Sequence, residues 1–599
     1  MKLSALVALP VISIPAFKRL ILAPPAMTAA LAVLFAVGCG SSGSNDLPPV
    51  VSNSSSSAPA ALFKTNVVAA TGGTFSVAGG DLVVTVPAGV LSGDTELAVY
   101  TTAADELMGS MAAAGDAYEL RFDDGVTLTG DIKLQMKITH EPTHPTLAEV
   151  AVYKSEQWQR AKANFYRASD MTIVAITQET MFRPMMRTLQ VTEGDGVARG
   201  HDIFMAETFG NEAFFGGVLE LHELLNGLDP ATAVSVGVQV DLTKVPQGIV
   251  DVLLGDDFEA KQSALGSPAI TRALIKADAV VGVRGFYDDP ESDTMTSAGI
   301  TCALCHVNVA KTQFELSAGE LTALPIGAPM IDGVPNTAMN AGAILSLTPF
   351  VQAAGEDLVA TLQSWGAGRF DIRALPDNAL DDGVNNPTDT PPLWNFVDLD
   401  EQGYAYDWDG LFITTDADLA LASQAEAVFD LVMHANGAFG TSTGTVPPQL
   451  AITPPDSLVN ALVDAEANAP GNDIDEQSLS DIQMFQRSIV SPAPTVFDEA
   501  LAETGFELFN GKAQCAGCHM SAEFTGPVLS TSIVLNAPQG GLAGGIKTPG
   551  LRGVAYTAPF FHDGSAATLE EVMDIYSGRT TVELSTAEKT ALVEYMKSL

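Results

Sequence analysis

Basic side chains are scarce in this sequence: 29 Lys and Arg stand against 72 Asp and Glu, a formal net charge of −43. That deficit leaves no polybasic surface for a phosphate backbone and argues against nucleic acid as a partner. The excess acid keeps a surface solvated and suits an exported chain, or one that meets a basic partner. Cysteine is equally sparse, with five residues at 39, 302, 305, 515 and 518. Four fall in two Cys-x-x-Cys pairs and Cys39 closes an apolar stretch, so none remains for a structural disulfide. The 599 residues allow about three or four domains, which must be held by packing.

The N-terminus reads as an address. Lys18 and Arg19 precede an apolar run from Leu20 to Val37, the charged and hydrophobic parts of an export signal. The run ends Ala36-Val37-Gly38-Cys39, which resembles a bacterial lipobox, although Ala36 stands where Leu is usual. Gly40 to Ser44 open a Ser-rich tether. Pro24, Pro25 and the modest length of the run weaken a membrane span. The expectation is a lipoprotein signal over 1–39 and a tether over 40–60. The body would then lie in the periplasm or at the cell surface, held by a lipid anchor in the outer membrane.

Residues 61–183 carry a period-two pattern. Ile132, Leu134, Met136 and Ile138 alternate with Lys133, Gln135 and Lys137, as a half-buried strand requires. Gly72-Gly73 and Gly79-Gly80 punctuate a strand pair, and Leu82–Val86 ends at Pro87-Ala88-Gly89. This stretch resembles the ZU5-like β-sandwich modules of bacterial surface proteins, which would imply a spacer or interaction module. His140 and His144 flank Pro142. That proline opposes the helix on which two His four apart could share a metal, so they are assigned to a solvated loop.

Cys302-Ala303-Leu304-Cys305-His306 and Cys515-Ala516-Gly517-Cys518-His519 carry the chemistry. Two thiols three apart on a helical turn can add to both vinyl groups of a haem, and the next His reaches the iron from the same side. A zinc site needs four ligands, usually from two such pairs close in sequence, and a redox dithiol has no need of the His. The spacing predicts two covalently bound haem c groups. Cys302, Cys305, Cys515 and Cys518 would attach them, and His306 and His519 would be the axial ligands.

The two motifs sit in a duplicated frame. In the compact C-terminal copy, Gly505–Asn510 leads into the motif. It is followed by Lys547-Thr548-Pro549-Gly550-Leu551-Arg552, then Phe561-His562-Asp563-Gly564, and a closing helix with a Ser585/Glu588 capping box. Leu592, Tyr595, Met596 and Leu599 fall on one face of that helix. The first copy repeats these landmarks in order: Gly200–Phe204, the motif at 302–306, Thr390-Pro391-Pro392-Leu393-Trp394-Asn395, Trp408-Asp409-Gly410, and a helix over Leu479–Ile489. It is longer by insertions before and after its motif.

On these landmarks, residues 190–599 resemble the bacterial di-haem cytochrome c peroxidase superfamily. The resemblance implies peroxide chemistry at the first haem, electron entry at the second, and Trp408 between them as the catalytic relay. It also implies a small soluble redox protein as electron donor and peroxide as substrate. The sequence departs from the family in two places. No Asn-Pro-x-Glu-Met element follows Trp408-Asp409-Gly410, where Glu426 is the nearest Glu, and no His lies between His306 and His434. Met330 or Met339 could ligate the first iron, or the site could be open. At the second haem Phe561 fills the position of a Met ligand, so His562 is taken as the distal ligand, the alternative being a loop-holding hydrogen bond. His201, His222 and His434 are assigned to surface or core roles.

The expected architecture is multidomain: an N-terminal all-β sandwich over 61–183, then two mainly α cytochrome c-type domains over 190–492 and 497–599. Two functions remain open. One is an exported peroxidase-like oxidoreductase passing electrons between two haems and reducing peroxide. The other is a non-catalytic electron-transfer or redox-sensing lipoprotein with both irons closed.

Overall fold

The computed structural model describes residues 60–102, 111–187, 194–371 (apart from 209, 218 and 329), 387–402, 408, 476–529, 546–579 and 582–599. The proposed signal, most of the tether, Cys39, Asp409, Gly410, Glu426 and His434 lie outside them. Among the described residues no helix is long and apolar enough to cross a membrane.

The N-terminal module is a sandwich of two antiparallel sheets. One runs Phe63–Val67, Thr95–Thr101, Tyr118–Arg121, Met181–Arg187, Ala148–Lys154, Gln157–Arg160, with Met111–Ala113 paired to Met181–Arg187. The other runs Ala163–Arg167, Thr172–Thr177, Ile132–Lys137, Leu82–Val86, Gly73–Val77. The predicted alternation holds: Ile132, Leu134 and Met136 are fully buried between the sheets, and Lys133 and Lys137 face outward. His140 and His144 lie in the connection after this strand and bond to Thr139 and Thr146, not to each other.

Two strands of the second sheet, Ala163–Arg167 and Thr172–Thr177, are buried on both faces, which the near-continuous apolar run of the latter encodes. Tyr166, Ile173 and Ala175 point into the sandwich, while Phe165 and Val174 point the other way. Those two join the core of the C-terminal haem unit with Phe506, Tyr595 and Met596. Phe165 lies 6.4 Å from the Phe506 ring and 6.3 Å from that of Tyr595. Lys133 and Arg167 add ion pairs to Glu503 at 3.0 and 2.7 Å. The module is therefore packed against the C-terminal unit, as an interaction module would be and a free spacer would not.

In each unit of the duplication the opening helix crosses the closing helix at a glycine. Asp195–Ala206 packs on Glu476–Ser488, and Glu499–Asn510 packs on Thr586–Lys597. A Cβ at Gly200 would lie 2.0 Å from the Asp481 carbonyl oxygen, and one at Gly505 2.0 Å from that of Ala591. Backbone-to-backbone approach at the same landmark in both copies is the structural counterpart of the sequence duplication. The capping box forms, with the Ser585 N–H donating to Glu588 at 2.8 Å. Leu592, Tyr595, Met596 and Leu599 are buried, as are Ile482, Phe485, Gln486 and Ile489 on the first closing helix.

The first unit keeps most of its regular structure in helices, but it also carries strands that the sequence did not announce. Among its described residues ten short strands form five two-stranded sheets between Val240 and Asp389, interleaved with helices. They fall in the insertions, where local strand pairing satisfies backbone groups that have no helix to join. The compact C-terminal unit is mainly α, as expected.

Candidate functional site

The first motif forms a single helical turn, Ala303–His306, with Cys302 at its N-terminus. The Cys305 and His306 N–H groups both donate to the Cys302 carbonyl, at 3.3 and 3.1 Å. The end of the turn is satisfied by the chain at 333–336. Gly333 N–H donates to the His306 carbonyl, Asn336 N–H to that of Cys305, and the Asn336 amide to that of Leu304. Gly282, with φ +76°, abuts the turn so closely that a Cβ would lie 2.1 Å from the Leu304 nitrogen.

Both thiols of this turn are free and half-buried, and burial pushes each up to about 12. His306 is buried, and desolvation lowers it to about 4 against a smaller opposing influence from the Pro391 carbonyl. Its Nδ1 nonetheless closes no hydrogen bond. The imidazole is thus neutral at physiological pH and holds a lone pair for a metal.

The second motif is more open. Cys515–Gly517 is a tight turn, and the His519 N–H donates to the Cys515 carbonyl at 3.0 Å. His519 Nδ1 donates to two carbonyls, Phe524 at 2.7 Å and Pro549 at 3.1 Å. With the proton fixed on Nδ1, Nε2 is left to bind a metal, the usual arrangement for a ligating imidazole. Burial lowers His519 while these carbonyls oppose the shift. Cys515 is pushed up to about 12 by burial, and so is Tyr576, whose ring lies 6.0 Å from Phe561 and which feels both Cys515 and Cys518. Pro391 and Pro549 occupy the same place in the two Thr-Pro elements, so the duplicated sequence supplies each His with an equivalent carbonyl neighbour.

Equivalent landmarks of the two units meet at their interface. Trp394 Nε1–H donates to the Arg552 carbonyl at 3.1 Å. Trp408 lies against His562, with ring centroids 6.5 Å apart. Its indole N–H donates to the Asp389 carbonyl at 3.1 Å, and its own carbonyl accepts from Lys547 N–H at 2.8 Å. Trp408 is therefore pinned between the residues that precede the two Thr-Pro elements. His562 is almost fully buried, its carbonyl accepts from Asp389 N–H, and its Nε2 has no hydrogen-bond partner. Burial lowers this His, with Asp563 opposing. Asp389 itself is driven well above the usual carboxylate range by desolvation.

These features fit haem c. Each motif offers two unpaired thiols and one neutral imidazole on one turn, and the buried nitrogens of His306 and His562 have no protein partner. Among the described residues no group of three or more His, Cys, Asp or Glu side chains gathers to hold a metal ion. Met339 is buried in the apolar cluster that also contains Leu304 and Cys305, and Met330 is in the strand Met330–Asp332 beside the first motif. His201 lies half-exposed, 3.5 Å from Asp332, and His222 lies 3.6 Å from Glu223. The sequence reading missed the carbonyls of Phe524 and Pro549, because a backbone acceptor leaves no side-chain signature. It also missed Tyr576 and Asp389, whose importance depends on burial.

No family model matches the chain. Among curated proteins it is similar to the methylamine utilization protein MauG of Methylorubrum extorquens, 32% identical over 19% of this chain and 41% of that protein. It is 28% identical to the MauG of Methylophilus methylotrophus over 40% of this chain and 73% of the relative. It is also 42% identical to the cytochrome-c peroxidase IdrP2 of Denitromonas iodatirespirans over 9% of this chain and 16% of that protein. A solved MauG-like protein associated with microbial copper homeostasis is 26% identical over 21% of this chain and 58% of its own, with a TM-score of 0.18. The chain spans less than half the length of the first of these curated relatives. The curated matches support the resemblance to the di-haem cytochrome c peroxidase superfamily drawn from the motifs.

Proposed function

We propose that this protein is an exported, lipid-anchored di-haem c-type cytochrome. It passes electrons between two covalently attached haems and reduces hydrogen peroxide at the first, drawing on a small soluble redox protein. The observation that carries this reading is the paired geometry of the two Cys-x-x-Cys-His turns, each with a neutral imidazole beside the prolyl carbonyl of its Thr-Pro element. Haem would supply one-electron chemistry at its iron. Cys302, Cys305, Cys515 and Cys518 would hold the two groups, and His306 and His519 would bind the irons. The Phe524 and Pro549 carbonyls keep the His519 proton on Nδ1. Trp408, fixed from both sides, would be the aromatic relay between the units.

A second reading, electron transfer or redox sensing without turnover, is favoured by the unpartnered, buried Nε2 of His562 and by the loss of both the Asn-Pro-x-Glu-Met element and the His that the resemblance leads one to expect. Closed irons pass electrons but leave no position for peroxide. Electron paramagnetic resonance in both oxidation states, with a peroxide challenge, separates the two. A high-spin iron that reacts with peroxide and vanishes in His306→Ala supports the enzyme. Two low-spin irons untouched by peroxide sink it. Loss of one low-spin signal in His562→Ala identifies that residue as the distal ligand.

A further inference from the structure

A second feature of the interface lies beside the second motif. Three arginines and three carboxylates are buried together where the β module meets both haem units. Arg160 donates to Glu149 through Nε and Nη2, each at 2.7 Å, to Asp398 at 2.8 Å and to Glu523 at 2.7 Å. Arg552 donates to Glu149 at 2.6 Å, and Arg187 pairs with Asp398. Glu149 and Arg160 belong to the module, Asp398 to the first unit, and Glu523 and Arg552 to the second. A buried ion network is weak evidence for stability, because desolvation offsets most of the attraction. Its geometry points to another role.

The network grips the turn that carries the second proximal histidine. Glu523 is held by Arg160 and by the Asn395 amide at 2.9 Å. Arg552 donates to the Ala522 carbonyl at 3.0 Å and lies over the Phe524 ring, 5.3 Å from its centroid. Between these grips Phe524 adopts φ +54°, a conformation that a bulky residue keeps only when its surroundings enforce it. That backbone turn aims the Phe524 carbonyl at His519 Nδ1, 2.7 Å away. A hydrogen bond at this nitrogen makes the imidazole a stronger donor to iron and favours the oxidised state.

We propose that Glu149 and Arg160 of the β module are positioning residues for the second haem: through Glu523 and Arg552 they hold the Phe524 carbonyl on His519 and so lower that haem's reduction potential. The inference rests on the haem reading above and gives the module a redox task.

The test is the full-length, haem-loaded protein with Arg160→Lys, which keeps the charge but cannot fork to three carboxylates, and separately with Glu149→Gln. Lys64→Gln, at an exposed ion pair of the same module, is the control. Spectroelectrochemistry should show the second haem's potential rising in both variants. The expected rise is up to a tenfold shift in electron sharing between the haems, about 59 mV for one electron. Its paramagnetic signature should change, while the first haem and the control stay as in the parent. Unmoved potential and signature in the loaded variants would overturn the proposal. So would failure of both variants to load haem while Lys64→Gln loads normally, since the module would then serve assembly alone. A parent protein without two covalent haems would instead defeat the functional reading.

Discussion

The two units of the duplication are built from the same landmarks yet enclose their histidines differently. His306 is buried in a helical turn, capped by the 333–336 chain, with Nδ1 unbonded. His519 is half-buried in a tighter turn, and its Nδ1 is held by two carbonyls. The first unit surrounds its motif with inserted strands of its own. The second borrows support from outside, through the Phe165 face of the β module and the Glu149–Arg160 network. One duplication has thus produced one self-contained site and one that depends on a neighbouring module. In the proposed function that asymmetry lets the two irons differ in potential, since imidazole donor strength is one of the levers on a haem.

The comparison breaks most sharply at the thiols. Replacing Cys302 and Cys305 by Ala should leave one covalent haem, and replacing Cys515 and Cys518 should leave the other. A denaturing mass measurement reads the result, and a chain that keeps both haems in either variant defeats the pairing. Next come the helix crossings. Gly200→Ala and Gly505→Ala each place a methyl 2.0 Å from a backbone oxygen, so each should cost about 3 kcal/mol, read as a fall in Tm. Gly505→Ala should also loosen the β module, which shares that core, whereas Gly200→Ala should not. Equal effects on the module would show that the two units are not separately supported.

Acid should act on the borrowed support. Burial raises Glu149, but Arg160 and Arg552 outweigh it and hold the carboxyl at about 2, against an ordinary 4.5. A folded-state value below the unfolded one means that the unfolded chain takes up the proton first. The stabilisation is therefore complete above pH 4.5 and lost as the pH falls towards 2. Thermal melts across that window should show the second unit's signals weakening before the first unit's, and Glu149→Gln should flatten the dependence. Simultaneous loss would point to a common cause elsewhere. The smallest effect is expected at the interface between the units. Trp408→Phe removes one hydrogen bond, to Asp389, and should cost about 1 kcal/mol. It should slow electron exchange between the haems with little change in either potential, and unchanged exchange kinetics would remove Trp408 from the path.

Much of this was legible in the primary structure. The strand at Ile132, the capping box at Ser585, the faces of both closing helices and the order of landmarks all follow from periodicities that a chain carries locally. The mixed character of the first unit was not legible. Its insertions hold strands of only two to six residues, too short for a clear period-two pattern, and one of them pairs far along the chain, as Val240 does with Ile326. The doubly buried run Thr172–Thr177 was a signal that the module faces something on both sides, but nothing local names Phe506 and Tyr595 as that partner.

What the sequence determined by itself is the chemistry at each turn: two thiols and an adjacent imidazole at a fixed spacing, present twice. Spacing suffices there because all three groups lie within five consecutive residues of one turn. Only the tertiary structure decided that the Phe524 and Pro549 carbonyls reach one histidine, that Trp408 stands beside His562, and that a β module closes over the second unit. Those arrangements depend on burial and on backbone atoms brought together from distant segments, and backbone atoms are the same at every position in a sequence.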